Sequence, residues 1–227
     1  MPNKTVLMIM SVRNIKSFTD SVNKLPCEKI WFKGYTEVDL APIINNFIKN
    51  SNFENYFIVP DDIIIKPQQF NLLTNALNRH DIVTGWGMIR QNCNYTTATK
   101  VENFMNHCIF KNTSSSILFL HNMYNFSYQT HEINKLPDEF ETAFTGWFYT
   151  GMKRQVWLEY PFQCLNPPSA SSDLIFSRRV LSDKKYKQMC IKKAHVIHLS
   201  NLQYMDGEQS LLNMNECFNH QSIIKTF

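Results

Sequence analysis

Two adjacent carboxylates follow an apolar stretch in the first third of the chain. Asp61 and Asp62 come directly after Tyr56–Val59 and Pro60. Neighbouring negative charges at the end of a buried strand repel each other, so a positive partner is expected beside them. A hard divalent cation with oxygen ligands, Mg²⁺ or Mn²⁺, would supply that charge. The alternative is that both residues only form a turn, where aspartate is common.

Two further side chains have types suited to chemistry. Asp173 falls in the first turn of a predicted helix over Ser171–Leu181, where it either caps the helix or acts as a general base toward an acceptor hydroxyl. His198 falls near the end of a short predicted strand over His195–Leu199. It either binds a metal or a phosphate or is a satisfied structural histidine. If the strand continues through His198, His195 and His198 lie on opposite faces.

Aromatic residues beside glycines are candidates for sugar contacts. Trp86 follows Gly85, and Trp147 follows Gly146. A glycine permits close approach of a sugar to the ring, whereas the alternative for each tryptophan is core packing. Three arginines carry charges suited to phosphate: Arg90, Arg178 and Arg179.

Alternating strands and helices must position these residues. Apolar runs predict the strands Val6–Val12, Lys29–Phe32, Tyr56–Val59 and Asp81–Gly85. Helical spacing predicts helices over Ser17–Leu25, over Leu40–Ile48 with Asp39 as N-cap, and over Phe70–Leu77. This order indicates an α/β fold with a mostly parallel sheet covered on both faces. Ligands of such sheets bind beyond the carboxyl ends of the strands, which here carry Ser11 with Arg13, then Asp61 with Asp62, then Gly85.

The second half of the chain has a weaker pattern. Residues 91–137 show no clear period, which indicates either an antiparallel excursion or a mobile region over the site. Ala143–Tyr149 is predicted as a strand. We expect one domain over residues 1–227, with a tail at 201–227.

Composition restricts the class of protein. The 227 residues carry a formal net charge of +4, and the six cysteines form no CxxC pair, which argues against zinc fingers and ribbons. The densest basic run, at residues 184–193, is interpreted as a solvated helix end and turn rather than a nucleic-acid surface. No apolar stretch approaches the roughly 20 residues of a membrane span, and no signal peptide is recognised. We therefore expect a cytoplasmic protein with reduced thiols.

Taken in order, these motifs resemble the GT-A glycosyltransferases, especially those of family 2. The segment YFIVPDDIIIKPQQF resembles the family's strand, acidic motif and helix. FTGWFYTGMKRQVWLEYPF is similar to the glycine-bearing segment before the acceptor site. SSDLIFSRRVLSDKKYKQMCIKKAHVIHLS resembles the helix with an acidic base and the strand that ends in histidine, and VLMIMSVRN resembles the opening strand and its nucleotide-contacting loop. Two departures are Pro60 in place of a first acidic residue and Ser172 before Asp173 in place of a glutamate.

The resemblance implies a nucleotide-binding part at about 1–90 and an acceptor-side part at about 91–200, with the possible mobile region over the acceptor side. It also implies a role for each candidate. Ser11, Arg13 and Arg90 would lie beside the nucleotide, and Asp61 would contact the ribose or the metal. Asp62 would bind Mn²⁺ or Mg²⁺ directly, with His198 completing the metal site or contacting the diphosphate. Asp173 would be the base, and Trp86, Trp147 and Gly146 would lie beside the sugar or the acceptor.

The implied activity is transfer of a sugar from a nucleotide-diphosphate sugar, with UDP as the default, to a hydroxyl of a glycan, a protein or a small molecule. Asp173 as base implies inversion at the anomeric carbon. The alternatives are a retaining glycosyltransferase of the same fold, a nucleotidyltransferase and a non-catalytic carbohydrate-binding domain. The loop Ser11–Asn14 contains no glycine, which argues against a nucleotidyltransferase.

Overall fold

A seven-stranded mixed sheet forms the centre of the protein in a computed structural model. The structure describes residues 4–11, 13–34, 37–89, 94–106, 125–143, 146–163 and 172–199. The strands of the sheet, in chain order, are β1 (Thr5–Ser11), β2 (Glu28–Lys33), β3 (Asn55–Pro60), β5 (Ile82–Trp86), β8 (Glu139–Glu141), β9 (Thr150–Lys153) and β10 (Gln188–His195). Their spatial order is β2-β1-β3-β9-β5-β10-β8. Five of them run in one direction and β9 and β8 run in the other, so the sheet is mostly parallel, as expected.

Helices cover both faces of this sheet. They are α1 (Lys16–Asn23), α2 (Glu37–Asn50), α3 (Pro67–Ala76), α4 (Val101–Phe104), α5 (Thr130–Ile133), α6 (Arg154–Glu159) and α7 (Ser172–Asp183). Side chains alternate along the buried strands. In β3, Phe57 and Val59 join the core beneath α1 and α3, while Tyr56 and Ile58 join the core beneath α2, α6 and α7. The apolar runs of the sequence are therefore strands buried on both faces.

Two short antiparallel ladders complete the described fold. β4 (Ile63–Ile64) pairs with β11 (Ile197–His198), and β6 (Tyr95–Thr99) pairs with β7 (Ser127–Gln129). The second ladder confirms the antiparallel alternative for part of residues 91–137. The mobility of that region stays a prediction, and residues 107–124 lie outside the described part of the chain.

The strand expected at Ala143–Tyr149 is wrong. The chain turns there, with positive φ at Gly146 (65°) and Tyr149 (62°), and the strand is instead Thr150–Lys153. This strand lies between β3 and β5, antiparallel to both. A Cβ atom on Gly151 would lie 2.7 Å from Cδ1 of Phe57 and closer still to two other ring atoms, so only glycine fits there. The aromatic run before it resembles a strand in composition but packs as a turn.

Two other boundaries differ from expectation. α2 begins at Glu37, so Asp39 lies inside its first turn rather than at the N-cap. The residues expected as one strand over His195–Leu199 are divided between two strands. β10 starts earlier, at Gln188, and ends at His195, and β11 then covers Ile197–His198. The early part of β10 was not predicted because it contains two lysines, Lys192 and Lys193, whose long side chains reach Asp138 at the surface.

Four lysines of the basic run pair with carboxylates. Lys185 pairs with Glu159, Lys187 with Glu141, and Lys192 and Lys193 with Asp138. The expected helix end and turn holds for Lys185 and Lys187, which lie between α7 and β10, but Lys192 and Lys193 lie in β10. Cys27 and Cys190 are free and buried. In the described part of the chain, no helix is both long enough and apolar enough to cross a membrane.

Candidate functional site

Parallel pairing of β1 and β3 brings the loop after β1 to the acidic turn. Met10 is opposite Pro60 in the ladder, so Ser11 lies next to Asp61. Ser11 is buried, and its hydroxyl donates to the carbonyl of Arg13 at 2.9 Å. Ser11 therefore shapes the loop that carries Arg13.

Arg13 reaches the acidic pair with its backbone and its side chain. Its N–H donates to Asp61 Oδ2 at 2.7 Å, and its Nε and Nη2 donate to Asp61 Oδ1 at 2.9 Å and 2.5 Å. Nη2 also lies 3.1 Å from Asp62 Oδ2. The side chain of Asp61 is 3% exposed and that of Arg13 is 21% exposed. Part of the positive charge expected beside the carboxylates thus comes from the chain itself.

Burial and charge set the pKa values in this cluster. Burial alone would lower the pKa of Arg13, but the negative charges of Asp61 and Asp62 raise it, so the guanidinium stays protonated. Burial raises the pKa of Asp61, while the charge and hydrogen bonds of Arg13 act in the opposite sense. For Asp62 burial also acts upward, but His198 and Arg13 outweigh it and the pKa is lowered. Asp62 is therefore the carboxylate of the pair that holds its charge more firmly.

The β4–β11 ladder brings His198 to the acidic turn. β4 begins directly after Asp62, and its Ile63 pairs with His198. The N–H of Leu199 donates to the carbonyl of Asp62 at 2.7 Å, which fixes the two segments further. As a result, His198 Nε2 lies 3.5 Å from Asp62 Oδ2. Residues more than 130 positions apart in the sequence meet here because of a two-residue ladder.

Phe148 is a site residue that the sequence did not single out. Its ring meets the ring of His198 edge-on, with the centroids 4.6 Å apart. A Cβ atom on Gly87 would lie 3.2 Å from Cε1 of Phe148, and one on Gly146 would lie 3.2 Å from Cδ2. The half-buried ring therefore occupies a space that two glycines leave open. The sequence indicates Phe148 as a site residue only through its position after Gly146 and Trp147. The prediction chose Trp147 because its ring is larger.

Asp173 lies close to Gly146. It is in the first turn of α7, and a Cβ atom on Gly146 would lie 3.6 Å from its Oδ2. The same Cβ position is 3.2 Å from Cδ2 of Phe148, so Asp173 and Phe148 both border Gly146. The structure thus joins Asp61, Asp62 and His198 in one cluster, with Phe148 packed against His198.

The two tryptophans are packed in the core. Trp147 is 6% exposed, its ring stacks on Phe162, and its Nε1 donates to Ser172 Oγ at 2.9 Å. Trp86 is also 6% exposed, its Nε1 donates to the carbonyl of Lys192 at 2.7 Å, and its ring lies 4.5 Å from that of His195. Core packing, the alternative for each tryptophan, accounts for both.

The arginines whose charges suit phosphate have separate outcomes. Arg179 donates to the carbonyl of Pro161 at 3.2 Å and lies over the ring of Tyr160, so it anchors α7 to its neighbours. Arg90 lies outside the described residues, and its place beside the nucleotide stays a prediction. Arg13 is the arginine that the structure brings to the acidic pair.

The acidic turn fits a divalent cation in part. Among the described residues, no group of three or more His, Cys, Asp and Glu side chains is arranged to hold a metal. At this turn, Arg13 donates to both oxygens of Asp61. Asp62 and His198 remain as two candidate ligands. Mg²⁺ and Mn²⁺ are commonly held by one or two protein groups plus substrate phosphates and water, so this pair fits such a cation when a nucleotide is bound.

Likeness to known proteins is found at the level of the fold. No protein-family model matches the chain, and no curated protein matches it. The crystal structure of A197 from STIV has a TM-score of 0.53 at 14% identity, covering 91% of this chain and 87% of that chain. Inositol-1-phosphate CTP transferase from T. maritima has a TM-score of 0.42 at 9% identity, covering 95% and 78%. Glucosyl-3-phosphoglycerate synthase from Mycobacterium tuberculosis, in complex with Mn²⁺, UDP and phosphoglyceric acid, has a TM-score of 0.47 at 8% identity, covering 99% and 80%.

At such identities the likeness concerns the fold alone. The sheet order and the likeness to A197 confirm the expected α/β fold with a mostly parallel sheet flanked by helices, and this arrangement is consistent with the GT-A fold. Activity and substrates have to be argued from the site.

Proposed function

We propose that this protein is a glycosyltransferase that moves a sugar from a nucleotide-diphosphate sugar to a hydroxyl acceptor. The observation that supports the proposal is the cluster of Asp62 and His198 against Phe148, with Asp173 and Phe148 both bordering Gly146. A transferase of this kind needs a cation-binding group for the leaving diphosphate and a separate base for the acceptor. We assign Asp62 to the first task and Asp173 to the second.

The acidic end of this site is suited to the donor. Asp62 and His198 would hold Mn²⁺ or Mg²⁺, and the cation would neutralise charge on the departing diphosphate. Ser11 shapes the loop beside which the nucleotide would lie. Arg13 carries a permanent positive charge with a fork of donors that suits phosphate oxygens.

The other end is suited to the acceptor. Asp173 would accept the proton of the acceptor hydroxyl as its oxygen attacks the anomeric carbon. A base on the side opposite the leaving group gives inversion of configuration. Phe148 offers a partly exposed ring between the two ends, and rings of this kind stack on sugars, so we assign it the sugar contact that the sequence gave to the tryptophans.

A binding experiment tests this function. Isothermal titration calorimetry with UDP, GDP, CDP and dTDP sugars, each in Mn²⁺ and in EDTA, should find a donor that binds only with the metal. Asp62→Ala should weaken that binding. Asp138→Ala removes a surface carboxylate of the same type and should leave it unchanged.

The opposite result is equally clear. Equal donor affinity in Mn²⁺ and EDTA would contradict the metal-dependent mechanism. If none of the nucleotide sugars bound, or if a bound donor were never turned over with any hydroxyl acceptor, the transferase proposal would be wrong.

A further inference from the structure

Arg13 occupies the place where a cation would compete for the acidic pair. Its guanidinium donates twice to Asp61 Oδ1 and lies 3.1 Å from Asp62 Oδ2. The same Asp62 oxygen is the one nearest His198. A divalent cation between Asp62 and His198 would therefore sit beside a fixed positive charge. Two cations at such a distance repel each other strongly in a partly buried site.

The backbone of Arg13 is held by hydrogen bonds that do not involve its guanidinium. Asp61 Oδ2 accepts the backbone N–H of Arg13, and Ser11 Oγ donates to the carbonyl of Arg13. These bonds hold the loop whether or not the guanidinium stays on the carboxylates. The side chain is 21% exposed, so its donors are within reach of an entering ligand.

We propose that Arg13 is a resident counter-cation, which neutralises the acidic pair before the donor binds and moves to the donor's diphosphate as the divalent cation enters. The proposal rests on the proposed function, because it requires a diphosphate ligand at this site. The exchange keeps every charge paired. The carboxylates lose the guanidinium and gain the metal, and the guanidinium loses the carboxylates and gains the phosphate oxygens of the donor. Without the diphosphate, the displaced guanidinium has no anion to receive it.

The exchange couples metal binding to nucleotide binding. The metal should bind weakly to the free protein and more tightly with nucleotide present, and the nucleotide should gain the same factor from the metal. Part of this coupling between metal and nucleotide should come from Arg13. When Arg13 loses its charge, the acidic pair has one neutralising group fewer, and the metal should bind without waiting for the nucleotide.

Electron paramagnetic resonance of free Mn²⁺ measures this directly, without any turnover. The proteins are wild type, Arg13→Gln, Arg13→Lys and Arg79→Gln, each with and without UDP. Arg79→Gln is the matched control, since it removes an arginine that pairs with the surface carboxylate of Glu139. In the absence of UDP, Arg13→Gln should bind Mn²⁺ on the order of tenfold more tightly than wild type, a typical coupling between sites. The control should bind Mn²⁺ as wild type does.

The remaining arms separate the possible failures. Arg13→Lys keeps a positive charge but lacks the fork that bridges both carboxylates, so its Mn²⁺ affinity should fall between those of wild type and Arg13→Gln; this variant decides the matter if Arg13→Gln does not fold. If wild type binds Mn²⁺ with UDP but the Arg13 variants bind Mn²⁺ alone no more tightly than wild type, the counter-cation role is wrong and the proposed function stands. If no protein binds Mn²⁺ even with UDP, the metal-dependent function itself is wrong.

Discussion

Asp62 and Asp173 have different neighbours. Asp62 belongs to a charged cluster with Arg13 and His198. Asp173 lies in the first turn of α7, close to the Cβ position of Gly146. Replacing the two carboxylates should therefore affect different steps, donor binding for Asp62 and transfer to the acceptor for Asp173.

Asp173→Asn should leave the fold and donor binding largely intact, because asparagine is nearly isosteric and also favourable at the start of a helix. Transfer to the acceptor should fall by roughly 10²–10⁴, the usual contribution of a positioned base. Asp62→Ala should instead weaken donor binding together with turnover. Calorimetry, melting temperature and a transfer assay on the same samples distinguish these effects. A near wild-type transfer rate in Asp173→Asn would make this residue a helix cap and remove the main support for inversion.

At this scale the sequence predicts charged residues better than aromatic ones. Asp61 and Asp62 stand out because two carboxylates after an apolar run need compensation. The identity of the compensating residue, Arg13, follows from the alignment of β1 with β3, which a single sequence does not contain. Trp147 was preferred to Phe148 for its size, yet its ring faces Phe162 and Trp157 in the core. Which of two neighbouring rings faces the site depends on a turn with positive φ at Gly146 and Tyr149.

At the scale of elements, β9 is the strand on which the sheet depends. It pairs with β3 on one side and with β5 on the other. Its four residues include Gly151, whose missing side chain makes room for the buried ring of Phe57. That ring also packs against Phe70 and Tyr149. The space beside Gly151 is therefore too small for a methyl group.

Gly151→Ala should therefore destabilise the protein by roughly 1–3 kcal/mol, the usual cost of overpacking a core. Urea unfolding at equilibrium measures the change in the free energy of unfolding. The double variant Gly151→Ala with Phe57→Leu provides the control, since the smaller side chain gives way to the new methyl group. The pair should be less destabilised than the sum of the two single variants. Strict additivity would show that the ring and the methyl group do not meet.

The elements predicted best are those with a strong period. β1 and β3 are almost continuous apolar runs, and α3 has helical spacing, so each was recognised within a few residues. β5, which contains Thr84 and Gly85 but is buried along its length, was also recognised. β9 and β10 were missed or misplaced because their sequences are not runs of apolar residues, although both strands are largely buried. β9 contributes a glycine to the core, and β10 covers its surface side with lysines whose charges reach Asp138.

At the scale of the whole molecule, ion pairs set the response to acid. Hydrogen bonds lower the pKa of four surface carboxylates: Glu132 through the backbone N–H of Gln129, Glu139 through Arg79, Asp138 through Lys193 and Glu159 through Lys185. A carboxylate with a lower pKa in the folded state than in the unfolded state stabilises the fold above its unfolded pKa. That stabilisation is lost as the pH falls through the folded pKa.

The melting temperature should begin to fall below about pH 6.5, because burial lowers the pKa of His195 and the unfolded state takes up that proton first. It should fall more steeply below about pH 4, where carboxylates of ordinary pKa begin to protonate. Differential scanning fluorimetry across this range measures the profile. Because the four carboxylates are at the surface, about 1 M salt should screen their pairs and make the profile shallower. A melting temperature that rises toward pH 3 would contradict this account.

The position of β9 also has a consequence for how the chain is made. Strands β1, β2, β3 and β5 all come from the first 86 residues, but β3 and β5 are not neighbours in the sheet; the strand between them starts at Thr150. A growing polypeptide has thus synthesised four of the seven strands while β3 has one open edge and β5 has two, since β10 starts only at Gln188, and exposed strand edges attract other chains. Pairing of β9 joins residues from 66 positions apart (Thr84 and Thr150) to 98 positions apart (Asn55 and Lys153), which slows folding. We expect the nascent protein to be most prone to aggregation in the interval between synthesis of β5 and synthesis of β9.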